Sequence, residues 1–373
     1  MTSSVHVGHS THVASVVFVS WWGGGNMTPV LSLGAAMRGR GHEVAVVGPK
    51  QFAGRLADDD IRHVASARFT PSARFTPSVD EVRATCDELR PDLLVIDFMM
   101  GEVLAAASTF DGARRTAALV HTMWQPVADK EWDNVTVFFG LDRVNEVRRA
   151  HGLPDVAHGT DLLRDVDHVL ASLPEPLDRP LATGWPNARY LGPLLEPPGP
   201  DADLALPGRG PLVVVGLGTT PMEEDDLLRR TLAAIDRLRV GRFLVTVGDH
   251  LDPDDFPVTS NTVVTRYIRH AAVLPWAIAV ISHGGLGTTI AAAAHGLPHL
   301  AIPLGRDQPH NAQRIVELGI GAALPATATV DELEAGILDF LASPELRTNA
   351  LDMAAAIRDR HPSPHDDFEG LLP

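Results

Sequence analysis

The sequence predicts an α/β protein made of two doubly wound domains that follow one another along the chain. Three observations predict it. At 373 residues the chain is long for a single core. Short apolar runs of strand length alternate with helical stretches twice over, once before and once after a proline-rich segment. In each half, an apolar run ends in a glycine turn that opens a helix. Hydrophobic residues make up 45%, enough for sizeable cores. The net charge is -16 and no basic stripe is present, so neither nucleic acid nor an anionic membrane is an expected partner. The single Cys86 rules out a disulfide framework and a cysteine zinc site, which fits a reducing cytoplasm. No apolar segment approaches the ~20 residues of a membrane span.

The first twelve residues lack the charged start and apolar core of a signal peptide and are expected to be a disordered tail, despite His6, His9 and His12. The first domain, expected over 13–192, begins with a buried strand at Val13–Ser20. Trp21-Trp22-Gly23-Gly24-Gly25-Asn26-Met27-Thr28-Pro29 then leads into a helix, with Pro29 suited to its first turn. Glu43–Val47 is the next strand, completing a βαβ unit. Its glycine turn has no G-x-G-x-x-G pattern, so a dinucleotide is not indicated. Trp22 reads either as a ligand-facing residue or as a cover for the core. Residues 66–71 (SARFTP) repeat at 72–77, a local duplication in a surface loop. A helix at Val79–Leu89 precedes the buried strand Asp92–Asp97, which places Asp97 at a strand C-terminus, where open α/β sheets bind ligands. The helix Glu102–Phe110 and the strand Thr116–Val120 continue the alternation, and His121, Met123 and Trp124 follow that strand end. Residues 125–166 read as irregular, part of a pocket wall. Asp167–Ser172 and Arg189–Leu191 close the sheet.

Pro193, Pro197, Pro198, Pro200, Pro207 and Pro211 mark a stiff linker over 193–211. The second domain, expected over 212–373, starts with the strand Leu212–Leu217 and the turn Gly218-Thr219-Thr220. Strands follow at Arg242–Val247, Thr262–Thr265, Ala277–Ser282 and His299–Ile302. Helices are expected at Glu224–Leu238, Thr288–His295, Pro309–Leu318, Val330–Leu341 and Pro344–Arg358, the last helix folding back on the first domain. The ligand site of such a pair is the cleft between the domains.

The stretch Ile281–Gly319 carries the most chemistry. An apolar strand ends in His283, the turn Gly284-Gly285-Leu286-Gly287 follows, and Thr288 and Thr289 open an Ala-rich helix. A strand, a glycine turn and a helix N-terminus together offer backbone N–H groups and a favourable dipole to an anion such as phosphate. Asp307 and Gln308, at the mouth of the next helix, add a carboxylate and an amide, groups that hydrogen-bond sugar hydroxyls. Taken singly, each has a structural alternative: a core histidine, turn-forming glycines, a helix cap at Asp307.

With these motifs in place, the sequence resembles the family-1 glycosyltransferases of the GT-B fold, especially bacterial enzymes that glycosylate antibiotics. The resemblance runs from about Val13 to Ile357 and is carried by H-G-G-x-G-T-T, G-x-P and D-Q-x-x-N-A at this spacing. It implies that His283, Gly285, Gly287 and Thr288 hold the donor diphosphate, with Thr289 close by, and that Asp307 and Gln308 bind donor-sugar hydroxyls. It also implies that Gly218 and Thr219 close over the phosphates and that Tyr267 stacks on the nucleobase, although Arg269-His270 replaces the usual Pro-Gln. Trp22 and Trp124 would face a small apolar aglycone such as a polyketide.

Two departures from the family pattern matter. The glutamate that many uridine-donor enzymes carry eight residues after the motif histidine is Ala291 here, which favours a dTDP-sugar over a UDP-sugar. The usual catalytic histidine of the first glycine turn is Asn26, which accepts no proton near neutral pH. Asp97 is the first candidate to replace it, directly or through a water, and otherwise a helix cap. His121 is the second, and otherwise a wall residue. Asn26 would orient the acceptor. The implied reaction is an inverting, single-displacement transfer, with no cofactor beyond the nucleotide-sugar co-substrate. The acidic clusters Asp58-Asp59-Asp60, Glu223–Asp226 and Asp252–Asp255 sit where carboxylates favour helix starts, so no metal is expected. Two rival readings remain: a nucleotide-sugar 2-epimerase, and a non-catalytic donor-binding partner of another transferase. The sequence does not fix the oligomeric state; a homodimer is compatible with it.

Overall fold

The computed structural model describes residues 12–21, 27–66, 78–123, 140–179, 188–195, 210–218, 225–238, 240–248, 251–256, 259 and 261–373. The tail, most of the SARFTP repeat, most of the proline-rich linker, and Trp22, Asn26, Trp124 and Thr219 lie outside the described residues.

The first half builds a seven-stranded sheet from β1 (Ser15–Val19), β2 (Glu43–Gly48), β3 (Arg62–Ala65), β4 (Leu93–Asp97), β5 (Thr116–Val120), β6 (His168–Ala171) and β7 (Ala188–Tyr190), in the order β3-β2-β1-β4-β5-β6-β7. The second half builds a six-stranded sheet from β8 (Leu212–Gly216), β9 (Arg242–Thr246), β10 (Thr262–Thr265), β11 (Ala277–Ser282), β12 (His299–Ala301) and β13 (Gly321–Ala323), in the order β10-β9-β8-β11-β12-β13. Every described pairing is parallel. The residues explain this: β4 and β5 are buried along their whole length, as strands covered on both faces must be.

Helices cover the faces. In the first half they are α1 (Met27–Gly39), α2 (Ala53–Ala57), α3 (Val79–Leu89), α4 (Gly101–Ala105) and α5 (Leu141–Ala150). In the second half they are α6 (Asp225–Arg237), α7 (His270–Val273), α8 (Leu286–Ala294), α9 (Gln308–Glu317), α10 (Val330–Ala342), α11 (Pro344–Arg360) and α12 (Pro364–Glu369). Ser78 with Glu81 and Thr329 with Glu332 form capping boxes at the starts of α3 and α10.

The sequence reading misses β3 and β13, two short edge strands, and expects irregular chain where α5 stands. The helix α5 buries only Val144, Val147 and Arg148, too few apolar positions to show a period. Polar contacts hold it instead: the Arg148 guanidinium meets Asp165 and the Pro154 carbonyl at 2.5 Å each. Pro29 falls at the third residue of α1, within its first turn, as expected.

The two halves share one apolar cluster, in which Met123, Leu173 and Leu177 pack with Leu286, Ile290, Ile315 and Ile357. The helix α12 crosses to the first sheet. Phe368 stacks on Phe18 with ring centroids 6.0 Å apart, and Arg40 pairs with Asp366 and Glu369.

Both sheet orders contain a switch point, where the winding reverses: between β1 and β4 in the first, and between β8 and β11 in the second. The crevice beyond the strand ends at such a point is where open α/β sheets hold ligands.

Candidate active site

The first switch point collects Ser20, Asp97 and His121. Register pairs Val19 with Ile96 and Asp97 with Leu119, so the residues that end β1, β4 and β5 arrive side by side. Asp97 is 1% exposed. Its Oδ1 accepts from His121 Nε2 at 3.0 Å and from the Met99 backbone N–H at 2.9 Å, and its Oδ2 accepts from the Ser20 hydroxyl at 3.3 Å. It does not cap α4, whose N-cap position is Met100 without a side-chain bond. With both oxygens engaged and almost no exposure, Asp97 is built to hold His121 rather than to meet a substrate itself. Phe98 sets its ring edge-on to the imidazole at 4.6 Å.

Burial alone would depress the basicity of His121. The charge and hydrogen bond of Asp97 overcome that effect, and the ring's own backbone and the charge of Asp307 add to it, so His121 titrates above an ordinary histidine. Asp307 belongs to the second half of the chain, and its charge is the smallest of these influences.

The second switch point lies beyond β8 and β11, where Gly216 pairs with Ser282. His283 follows Ser282 and points Nδ1 at the Gly216 carbonyl, 3.4 Å away. Gly284 has φ of +80°, a conformation that favours glycine. A Cβ on Gly285 would lie 2.5 Å from His283 Nε2, so the imidazole lies over the loop only because residue 285 is glycine. Gly285 is the N-cap of α8 and supplies no side-chain cap, which leaves the first-turn N–H groups of that helix without one. Gly287 is exposed, Thr288 is half-buried, and a Cβ on Gly287 would meet open space. Such a geometry is able to receive an anion.

Other residues singled out in the sequence stand differently. Thr289 is 1% exposed and its hydroxyl returns to the Gly285 carbonyl at 3.1 Å, so it braces the first turn of α8. Gln308 is 3% exposed, and its Oε1 accepts from the Leu304 and Gly305 N–H groups at 2.8 and 3.1 Å. That oxygen shapes the loop before α9 and is not presented to a sugar. Asp307 stands at the N-cap position of α9 but makes no capping bond, and Asn311 Nδ2 donates to its Oδ2 at 2.9 Å. Arg306, just before it, has φ of +58°, which costs a non-glycine residue about 1 kcal/mol or more. Gly218 is buried just beyond β8. Tyr267 is 47% exposed beyond the end of β10, on the same side of the sheet as the anion loop. Ala291, on the inner face of α8, is packed into the core with 2% exposure.

Ser20, Ser282, His299 and Asn311 form the inner support of both half-sites and were not legible as site residues. Only Asn311 carried a signal, its spacing of four from Asp307 on one helix face. Among the described residues no cluster of three or more metal-ligating side chains is found, and no helix is long and apolar enough to cross a membrane.

Residues 230–369 match the family model of the erythromycin biosynthesis protein CIII-like C-terminal domain. The chain is 28% identical to glycosyltransferase GtfE of Amycolatopsis orientalis over 391 aligned residues, 89% of this chain and 91% of that relative. Among solved structures, the glycotransferase of kitacinnamycin superposes with a TM-score of 0.81 at 21% identity, covering 97% of this chain and 100% of that one. The glycosyltransferase VinC, solved in complex with dTDP, superposes with a TM-score of 0.75 at 18% identity, covering 96% and 98%. The curated relative is a named glycosyltransferase, and the two parallel-sheet domains form the GT-B fold.

Proposed function

We propose that this chain, a glycosyltransferase of the antibiotic-biosynthesis type, moves a sugar from a dTDP-sugar to a small apolar aglycone, with inversion and without a metal. The observation that carries the reading is the His121–Asp97 couple at the first switch point, beside a glycine turn and a helix start without a side-chain cap at the second. In this reading His121, neutral, takes the proton of the acceptor, and Asp97 holds the ring and balances the imidazolium that forms. The nucleophile attacks the anomeric carbon from the side opposite the diphosphate. As that bond breaks, negative charge grows on the diphosphate, where the start of α8 and His283 receive it. That fixed positive end supplies the stabilisation a divalent cation would otherwise give.

The preference for dTDP rests on Ala291. Its methyl lies in the core and accepts no hydrogen bond from a ribose hydroxyl, so nothing at that position favours ribose over deoxyribose. The dTDP complex of VinC supports the same preference. The single cysteine fits work in the cytoplasm.

The test is consumption of dTDP-sugars and UDP-sugars against a panel of polyketide and other apolar acceptors, with and without EDTA, followed by the anomeric configuration of the product. Transfer that resists EDTA, inverts the anomeric centre and prefers dTDP-sugars by about tenfold or more is expected, a difference of ~1.4 kcal/mol. Strict dependence on Mg²⁺, or retention at the anomeric centre, would sink the mechanism. Epimerised donor without acceptor consumption would make the chain a 2-epimerase. No turnover with any acceptor, beside tight donor binding, would make it a partner of another transferase.

A further inference from the structure

Both backbone polar groups of Gly284 are held by buried side chains. Its N–H donates to Ser282 Oγ at 2.9 Å, and its carbonyl accepts from Asn311 Nδ2 at 2.9 Å. Ser282 is in turn 2.8 Å from His299 Nε2, and His299 is 1% exposed. Burial, with the nearby His283 and His270, pushes His299 down to about 3, so the ring is neutral and this support does not titrate near neutral pH. Behind Gly284 there is little slack, since a Cβ there would lie 3.4 Å from both the Gln308 carbonyl and the Ala301 methyl.

Asn311 has a second attachment. A carboxamide nitrogen carries two protons. One goes to Gly284 in the anion loop, and the other goes to Asp307 Oδ2 at 2.9 Å, one turn back along α9. The side chain is 1% exposed, and its Oδ1 is buried without a hydrogen-bond partner. Leaving that acceptor unpaired is unfavourable, and an apolar residue, such as its neighbour Ala312 in the shared cluster, would avoid the cost. The two donated bonds are what the asparagine provides in return.

We infer that Asn311 is a positioning residue that ties the diphosphate loop to the sugar-facing carboxylate of Asp307, so that the two halves of the donor are bound as one unit. The inference rests on the donor-site reading above. It makes Asn311 specific for the intact donor: without the amide, Asp307 loses its fixed rotamer and the sugar loses more than the nucleotide does.

Calorimetric binding of dTDP and dTDP-glucose to the wild-type chain, Asn311→Ala, Asp307→Ala and the double variant tests this. Wild type is expected to bind dTDP-glucose more tightly than dTDP. Asn311→Ala should weaken dTDP-glucose about tenfold and dTDP only a few-fold, and in the Asp307→Ala background it should affect the two ligands alike. Equal losses for both ligands in the single variant, or fully additive losses in the double variant, overturn the inference while leaving the donor site intact. No binding of dTDP, dTDP-glucose, UDP or UDP-glucose by wild type overturns the donor site itself, and the inference with it. Should Asn311→Ala fail to fold by circular dichroism, Asn311→Asp keeps the shape, removes both donated bonds and places a carboxylate against Asp307. Its dTDP-glucose affinity should recover on acidification as the new carboxyl regains a proton to donate, and no recovery overturns the inference.

Discussion

His121 Nε2 is bound to Asp97 Oδ1 at 3.0 Å across the ends of two neighbouring strands, and that bond fixes the orientation of the imidazole. In the proposed reaction this couple stands in for what the first glycine turn lacks, since residue 26 is asparagine. Removing the imidazole by His121→Ala is expected to lower kcat by about 10²–10⁴, the usual worth of a general base. Asp97→Asn should leave the chain folded and lower kcat by at least about tenfold through loss of ring orientation and charge balance. Steady-state kinetics with the best donor and acceptor decides it: full activity in His121→Ala would return the role of base to Asp97.

The pH dependence carries a sign. His121 titrates above the ordinary value because Asp97 outweighs burial. The base works neutral, so the acidic limb of the kcat/KM profile should lie above ~6.5, the reference for an unperturbed histidine. In Asp97→Asn the largest raising influence is gone and the limb should move to lower pH. Stability runs the other way. A raised pKa makes the protonated ring stabilising, fully so below the unfolded value near ~6.5, and that contribution is lost as pH rises through the folded value. Denaturation of wild type and His121→Gln compared at pH 5.5 and 9 should show the larger difference at the lower pH.

Gly285→Ala places a Cβ 2.5 Å from His283 Nε2. The imidazole must swing off the loop or the loop must shift, and either change disturbs the anion site. Overpacking of this kind costs about 1–3 kcal/mol. The expected outcome is a nucleoside diphosphate affinity weakened by about tenfold or more, read by calorimetry, beside a modest fall in the thermal midpoint.

Arg314 joins the domains through the helix that carries Asp307. Its guanidinium donates to the Leu177 carbonyl at 3.1 Å and the Asp178 carbonyl at 2.8 Å, with 17% of the side chain exposed. Arg314→Ala should lower stability in urea by about 2–3 kcal/mol, the range for hydrogen bonds from a charged donor. It should also lower kcat more than it weakens dTDP binding, because the clasp joins α9 to the first half of the chain and lies outside the glycine turn at 284–287. Arg314→Lys, which lacks the fork, should recover only part of the loss.

Cys86 is fully buried, and burial, with the charge of Asp87, pushes its thiol up to about 12. A thiolate is the reactive form, so the native chain should resist a thiol-disulfide reagent at pH 8 and react fully in denaturant. Rapid labelling without unfolding would contradict this packing.

Much of the architecture follows from residues taken in order. Thr262–Thr265 and Ala277–Ser282 are strands with the bounds their apolar runs predict. Gly284 and Gly285 are required by a left-handed turn and by a close approach, both local properties of the chain. Asp97 and His121 were candidates because each follows a strand end. Other features escaped the pattern for a stated reason. The helix α5 is held by arginine contacts rather than by an apolar face. The Gln308 carboxamide oxygen and the Thr289 hydroxyl carry ligand chemistry, and both also bond nearby backbone, which spacing alone does not reveal.

The sequence by itself determined the two alternating sheets, the glycine loop and the list of groups able to do the chemistry, because these depend on periodicity and on backbone freedom over a few residues. Only the tertiary structure decided how those groups are partnered. Sheet order set β1, β4 and β5 side by side, so that an aspartate met a histidine 24 positions away and a buried serine closed its other face. Likewise, folding α9 against the end of β11 brought Asn311 to Gly284, 27 positions apart. Hydrogen bonds act over about 3 Å, and which pairs of side chains come that close is fixed by strand register and helix packing, not by their spacing along the chain.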